Sequence, residues 1–394
     1  MCNDFLNTQA IDTLDLCVAY IKNLFKPGSK IVVAMSGGID SSFTAAIIKR
    51  AGFETIGVTL QLYRSPAIAR GKTCCAGKDI QDAKNVANAE NFPHYVLDYT
   101  ALFKQKVIDN FIDTYEAGQT PIPCGRCNQY VKFGYMLDFA KSIEADYLVT
   151  GHYAQKMIVR DKLATHDSAT AGQCNEEHML LRGEDKHKDQ SYFLALTTIE
   201  QLKMLHFPLA KIPKTLVRKF AAEIGLSVAK KPESMDICFI PDGDYRGFLK
   251  RLRPEMFKAG NIVSTCGDVL GKHEGLAIFT IGQRKNLGLN GGPWYVLELQ
   301  TDSNTLLVGK ENDLKKEKFL VAEINLLVQS EYFADREIEI QIRARHKPAV
   351  GKFDPATNIV SFASAQQAIT PGQICAFYEG ERLLGGAIID RKIL

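Results

Sequence analysis

Three cysteines and one glycine-serine turn are the residues of this chain whose types and spacing could do chemistry. Cys124 and Cys127 stand in Thr120-Pro121-Ile122-Pro123-Cys124-Gly125-Arg126-Cys127-Asn128, and Cys238 follows in Asp236-Ile237-Cys238-Phe239-Ile240. A thiolate is the nucleophilic form of cysteine, and Arg126 and Lys132 beside the first pair favour it. Two prolines and a glycine predict a fixed loop over 120–128, outside regular structure. By composition alone, the apolar neighbours of Cys238 also fit a plain core cysteine.

The second feature is Ile31-Val32-Val33-Ala34-Met35-Ser36-Gly37-Gly38-Ile39-Asp40-Ser41-Ser42. An apolar run ending in Ser-Gly-Gly and followed by Asp-Ser-Ser predicts a buried strand, a tight turn and a helix start. Paired glycines let backbone N–H groups approach a phosphate, serines add donors, and the helix aims its positive end at the same point. No lysine lies between the glycines and the helix, so this is not a Walker loop. Gly71-Lys72-Thr73 has Pro66 where that pattern needs its first glycine. Asp40 is a candidate for orienting the loop or helping hold Mg²⁺, against plain capping of the helix.

The elements that must position these residues alternate from Ile31 onward. Strands are expected at 31–35, 55–62, 94–97 and 147–150, and helices at 42–51, 79–91, 101–117 and 131–143. A short amphipathic helix at 13–24 precedes them. Such alternation predicts an α/β domain whose parallel sheet is covered on both faces, with ligands at the carboxyl ends of the strands. The Gly-Gly turn, the Cys segment and Thr150-Gly151-His152 then gather at one site. Residues 201–258 carry an excess of six positive charges, which suits phosphate contact or a solvated face. From Phe319, alternation such as Ile338-Glu339-Ile340-Gln341-Ile342-Arg343 predicts a small antiparallel β-barrel. The expected domains are 1–206, catalytic; 207–312, central and basic, with the Cys238 loop returning to the site; and 313–394, the barrel.

A chain of 394 residues with 46% hydrophobic and 24% charged residues and a net charge of +3 belongs to the soluble globular class. No apolar run is long enough for a membrane span and no targeting segment is visible, so no membrane partner and a cytoplasmic location are expected. Ten irregularly spaced cysteines fit a reducing compartment better than a disulfide scaffold.

The Ser-Gly-Gly-Ile-Asp-Ser run resembles the loop of the ATP pyrophosphatases, which adenylate a substrate and release pyrophosphate. Joined to the 120–133 segment, Thr150-Gly151-His152-Tyr153, Lys188 to Leu194, Asp236 to Ile240, Ile281-Gly282-Gln283-Arg284, Gly292 to Val296 and Thr370-Pro371-Gly372-Gln373, it resembles the tRNA-specific 2-thiouridylases along nearly the whole chain. The resemblance implies an adenine nucleotide α-hydrolase-like domain and ATP-dependent 2-thiolation of the tRNA wobble uridine. It implies ATP at Ala34, Met35, Ser36, Gly37, Gly38, Ile39, Asp40, Ser41, Leu60 and Gly151, with Mg²⁺ brought by the phosphates. Cys238 would carry persulfide sulfur from a sulfur-relay protein or cysteine desulfurase, and Cys127 would assist and form a disulfide with it. His152, Lys188, Asp189, Gln190, Arg343, Arg345 and Gln373 would contact tRNA.

One departure stands out: many members have Asn-Pro-Asp where this chain has Ile122-Pro123-Cys124, so the carboxylate against the target base is replaced by a thiol. Cys124, Cys127 and Cys238 also make the three thiolates with which some related thiolases hold an iron–sulfur cluster. Two rivals share parts of the pattern. An amide-forming synthetase would need no thiols, and a metal-holding RNA-binding module would need no ATP.

Overall fold

The computed structural model describes residues 10–63, 75–161, 175–232, 237–240 and 242–393. Helix α1 (Leu14–Leu24), capped by the Thr13 hydroxyl accepting from the Leu16 N–H, leads into β1 (Lys30–Ala34). There follow α2 (Ile39–Arg50), β2 (Glu54–Gln61), α3 (Cys75–Ala89) and β3 (His94–Asp98). A helical run over 100–116, α4, and another over 123–142, α5, precede β4 (Tyr147–Thr150). After the hairpin β5 (Ala154–Asp161) and β6 (Asn175–Arg182) come α6 (Ile199–Met204), β7 (Leu205–His206) and α7 (Lys214–Glu223).

The sheet order β3-β2-β1-β4-β7, parallel throughout, puts β1 at the centre, with the chain running outward on either side. The crevice where such an order reverses, between the carboxyl ends of β1 and β4, is where ligands bind in open α/β sheets. Side-chain alternation along β1 explains the two covered faces. Ile31 and Val33 pack with Phe43, Ile47 and Phe220 on one side, while Val32 packs with Phe133, Leu137 and Leu148 on the other. Each such fully buried aliphatic side chain contributes about 1.5–3 kcal/mol.

Helix α7 lies beyond the boundary expected at 206, yet its Val217 and Phe220 pack against Phe43 in the first core. Helix α8 (Tyr245–Leu252) leads to a four-stranded sheet, β8 (Gly260–Ser264), β9 (Val269–His273), β10 (Tyr295–Gln300) and β11 (Thr305–Gly309). Strands β12 (Lys315–Leu326), β13 (Ile338–Gln341), β14 (Ala349–Asp354), β15 (Ile359–Gln367), β16 (Ile374–Glu379) and β17 (Arg382–Ile393) close into the expected antiparallel barrel through β12–β17 pairing. The hairpin β5–β6 joins that barrel's sheet through β6 and β17, so the first domain is stitched to the last.

The loop expected over 120–128 is corrected: α5 begins at Pro123, so Cys124 and Cys127 sit in its opening turns. Proline is tolerated at the first helical position, where its missing N–H has no partner to lose. At Gly125 the helix runs close under the barrel: a Cβ there would lie 2.8 Å from Ile374 Cδ1, and the end of that side chain would have to shift. From Cys127 to Tyr135 the helix is wound as a π-helix, a geometry frequent at functional sites.

Candidate active site

The turn after β1 is built for an anion. Gly37 adopts the left-handed conformation, φ +73°, and a Cβ on it would fall 2.1 Å from the Asp79 carbonyl oxygen. Gly38 is the N-cap of α2 and supplies no side-chain cap, so the first N–H groups of α2, from Ile39 on, keep no intrahelical acceptor. The Ser36 N–H donates to Ser41 Oγ at 3.0 Å, and the Ser41 hydroxyl donates to the Gly38 carbonyl at 3.2 Å, which fixes the curl of the loop. Across the crevice, a Cβ on Gly151 would meet the Ser41 nitrogen at 2.9 Å, so only glycine lets the end of β4 come this close.

A cavity of about 250 Å³ opens here, lined by Ala34, Met35, Ser36, Asp40, Ser41, Leu60 and Gly151 among others. Gly37, Gly38 and Ile39 form the turn beside it and do not line it. Both oxygens of Asp40 are taken: Tyr153 donates its hydroxyl at 2.8 Å, and Lys214 donates at 2.6 and 2.5 Å. Asp40 therefore anchors α7 to the loop.

A second cavity, about 310 Å³, is lined by Cys124, Cys127 and Cys238 with Asn128, Phe193 and Phe239. The loop of Cys238 is held by Phe239, which meets Phe103 and Phe111 edge to face, and by the Tyr63 hydroxyl donating to the Cys238 carbonyl at 2.9 Å. Asn128 donates to the Phe193 carbonyl at 3.1 Å and accepts from Lys132 at 3.1 Å, which aims the ammonium along the cavity wall. The two cavities share Ser36, Leu62, Lys132, His152 and Gln190. A nucleotide on the loop and a group carried by a thiol would thus meet across one wall.

Burial pushes all three thiols up. Cys124 and Cys238 reach solvent but are crowded by protein, and burial followed by Cys127 and Cys124 drives Cys238 up to about 12. Lys132 opposes this shift at each thiol. Arg126, expected to help, is instead turned away into a two-pronged ion pair with Glu323 of β12 at 2.5 Å. His152 is held neutral, far below its ordinary value, first by burial and then by Lys132, and its Nδ1 lies 2.7 Å from the Thr150 hydroxyl.

Residues 29–242 match the family model described as tRNA methyl transferase HUP domain, 246–310 the tRNA methyl transferase PRC-barrel domain, and 316–389 the Aminomethyltransferase beta-barrel domain. A tRNA-specific 2-thiouridylase MnmA of Zymomonas mobilis is 46% identical over 367 residues, spanning 92% of this chain and 94% of that relative. The chain belongs to the tRNA-specific 2-thiouridylase family. The 2-thiouridylases MnmA of Rickettsia bellii, 44% identical over 93% of this chain and 97% of theirs, and of Orientia tsutsugamushi, 43% identical over the same shares, agree.

Of the residues expected at tRNA, this 2-thiouridylase chain brings two to the shared wall, His152 and Gln190. Asp189 is spent on structure, accepting from the Gly183 and Ser191 N–H groups, the Ser191 hydroxyl and Arg182. Lys188 lies beside it, its N–H donating to the Asp185 carbonyl. Gln373 donates to the carbonyls of Thr120 and Pro121 at 3.1 and 2.9 Å, bracing the approach to Cys124. Arg343 and Arg345 follow β13 on the barrel, the first half-buried and the second exposed. Among the described residues, no three His, Cys, Asp or Glu side chains converge to hold a metal ion. No helix among them is long and apolar enough to cross a membrane. Lys214 and Lys231 are the site residues that sequence reasoning missed. Their only signal was the basic excess over 201–258, part of which turns inward.

Proposed function

We propose that this chain replaces the C2 oxygen of the tRNA wobble uridine by sulfur at the expense of ATP. The observation that carries the reading is the wall common to the anion-binding cavity and the thiol cavity. The uracil oxygen attacks the α-phosphorus of ATP held at the Ser36–Ser41 turn, and pyrophosphate leaves. The terminal sulfur of a persulfide on Cys238, loaded by a sulfur-relay protein or cysteine desulfurase, attacks C2. The C2–O bond breaks and AMP departs with the electron pair. Cys127, as thiolate, then attacks the Cys238 sulfur, the S–S bond breaks toward the base, and a Cys127–Cys238 disulfide remains for an external dithiol to reduce. The wobble base must leave its stack to enter the cavity, as for other base-modifying enzymes. Methyl transfer, the wording of two matched domain descriptions, gives three thiols on one wall no task.

Incubating the protein with tRNA, ATP and a sulfur source should yield 2-thiouridine with one AMP per thiolated base. AMP formation indifferent to tRNA, with no thionucleoside by mass spectrometry, would overturn the reading. Lys188, Asp189, Arg343, Arg345 and Gln373 form the proposed tRNA-facing set, with Asp189 and Gln373 acting through the scaffold they hold. Lys188→Gln is expected to weaken tRNA binding and to reduce the slope of log affinity against log salt by about one. A filter-binding titration at several salt concentrations checks this, and an unchanged slope removes Lys188 from the phosphate contacts.

A further inference from the structure

The thiolation reading employs two of the three thiols on the second cavity and leaves Cys124 without a task. Cys127 is buried, 7% exposed, whereas Cys124 and Cys238 open to solvent. Cys124 is the second residue of α5, where an exposed sulfur fills no core. One helical turn separates it from Cys127. Arg126 and Cys127 keep helical dihedrals, and the Cys127 N–H donates to the carbonyls of both Pro123 and Cys124, which draws that turn tight. Cα atoms three residues apart on such a turn lie about 5 Å from one another, inside the roughly 4.4–6.8 Å that a disulfide spans. Their Cβ atoms, about 5–6 Å apart, must close by about 1–2 Å, a movement within reach of the first turn of a helix. A carboxylate, which many members carry at this position, cannot enter disulfide exchange; a thiol can.

We propose that Cys124 is a third catalytic thiol, which takes over the disulfide left after each sulfur transfer and so frees Cys238 for its next load. The inference rests on the thiolation reading for its purpose, while the exchange itself can be observed without tRNA. The Cys124 thiolate attacks the Cys127 sulfur of the Cys127–Cys238 disulfide. A Cys124–Cys127 bond forms, the Cys127–Cys238 bond breaks, and its electron pair leaves on Cys238, which takes a proton from water; nothing is oxidised or reduced overall. An external dithiol then attacks the exposed Cys124 sulfur, Cys127 leaves as thiolate, and the second thiol of the reductant releases Cys124 as the reductant closes to its own disulfide. Lys132 favours the thiolate at all three sulfurs against their burial, so each can serve in turn as attacker or leaving group.

The test compares the full chain with Cys124→Ser and Cys124→Asp, both changes to an exposed side chain in a first helical turn, where serine and aspartate are well tolerated. In one arm, without tRNA, ATP or sulfur, each protein is oxidised with diamide, its free thiols are blocked with iodoacetamide, and its disulfides are mapped by mass spectrometry. The parent should hold mainly Cys124–Cys127, with Cys238 alkylated. Both variants should hold Cys127–Cys238 instead, and dithiothreitol should open it at least about fivefold more slowly than the parental bond. A parent that holds Cys127–Cys238 with Cys124 alkylated would overturn the proposal, and so would equal rates of reduction. In the other arm, tRNA, ATP, a sulfur source and dithiothreitol are supplied. Thiolated base in Cys124→Ser should reach about one per protein and then form about tenfold more slowly than in the parent, with the Cys127–Cys238 disulfide accumulating. Cys124→Asp should stall in the same way; parental turnover in that variant would place residue 124 at the base, as a carboxylate is placed, and would remove it from the exchange. If the diamide arm gives the expected disulfides while no thionucleoside ever forms in the parent, the thiolation reading fails and the exchange stands.

Discussion

Cys238→Ser is expected to lower thiolated-base formation by at least about a thousandfold while tRNA-dependent pyrophosphate release stays within about threefold of the parent. Serine is close in size to cysteine, and the supports of this loop do not involve the sulfur. Phe239 is fully buried against Phe103 and Phe111, and Tyr63 bonds the backbone carbonyl of residue 238. The cavity should therefore keep its shape, and the half proposed to adenylate, on the Ser36–Ser41 turn, is left untouched. What is lost is the atom proposed to carry sulfur, since a hydroxyl accepts no persulfide. The measurement is paired: pyrophosphate by coupled assay and thionucleoside by mass spectrometry on the same reaction. Thiolation that survives in Cys238→Ser would move the sulfur carrier to Cys124 or Cys127, and pyrophosphate release that collapses with it would mean that the halves cannot be separated. In Cys127→Ser, thiolation should also fall, but a persulfide should remain detectable on Cys238 by intact mass.

The strand, turn and helix start over residues 31–42 were legible in the sequence, because their cues are local. Two glycines, a serine before them and an apolar strand ahead call for a tight turn, and Gly37 takes φ +73° there. The thiol half was legible in residue type but not in structure. Pro123 and Gly125 read as loop formers, yet the first starts a helix and the second lies inside it, close under Ile374 of the barrel, some 250 positions away. The same distance hid the lysines. Locally, Lys214 and Lys231 look like members of an outward basic face; their partners Asp40, Asp79 and Asp82 lie far up the chain, and only the folded core brings them together. Arg126 failed in the opposite sense, adjacent to the thiols in sequence but recruited by Glu323 of the barrel. Pairing of the β5–β6 hairpin with β17 is likewise a matter of long-range register, which hydrophobic alternation specifies by face and not by partner.

Lys132→Met should cut thiolation by about a hundredfold, the scale on which a preorganised electrostatic group at a reacting centre acts. Of the five residues common to both cavities, Lys132 alone is cationic, since His152 is held neutral by its burial. The other ionisable groups facing the wall are the three thiols and Asp40, and Asp40 is already engaged by Lys214 and Tyr153. Burial drives Cys238 up to about 12, Cys127 and Cys124 push the same way, and Lys132 pulls it down. The sign of the pH effect follows. Removing the ammonium raises the thiol further, so at any pH below its midpoint a smaller fraction is thiolate and alkylation slows. A rise of about one unit cuts the thiolate fraction about tenfold, but the more basic sulfur is about threefold more nucleophilic, leaving alkylation about threefold slower. Thiolation should suffer more than alkylation does, because in the proposed mechanism the same ammonium would face both the sulfur anion and the phosphate of departing AMP, whereas iodoacetamide tests only the sulfur. Lys132→Arg, which keeps the charge on a longer arm, should recover alkylation more fully than thiolation. The check is the pH profile of Cys238 alkylation for the three proteins, read beside their thiolation rates. Superimposable profiles would show that the thiols do not feel Lys132, and would leave the acidity of the persulfide itself as the source of the sulfur anion.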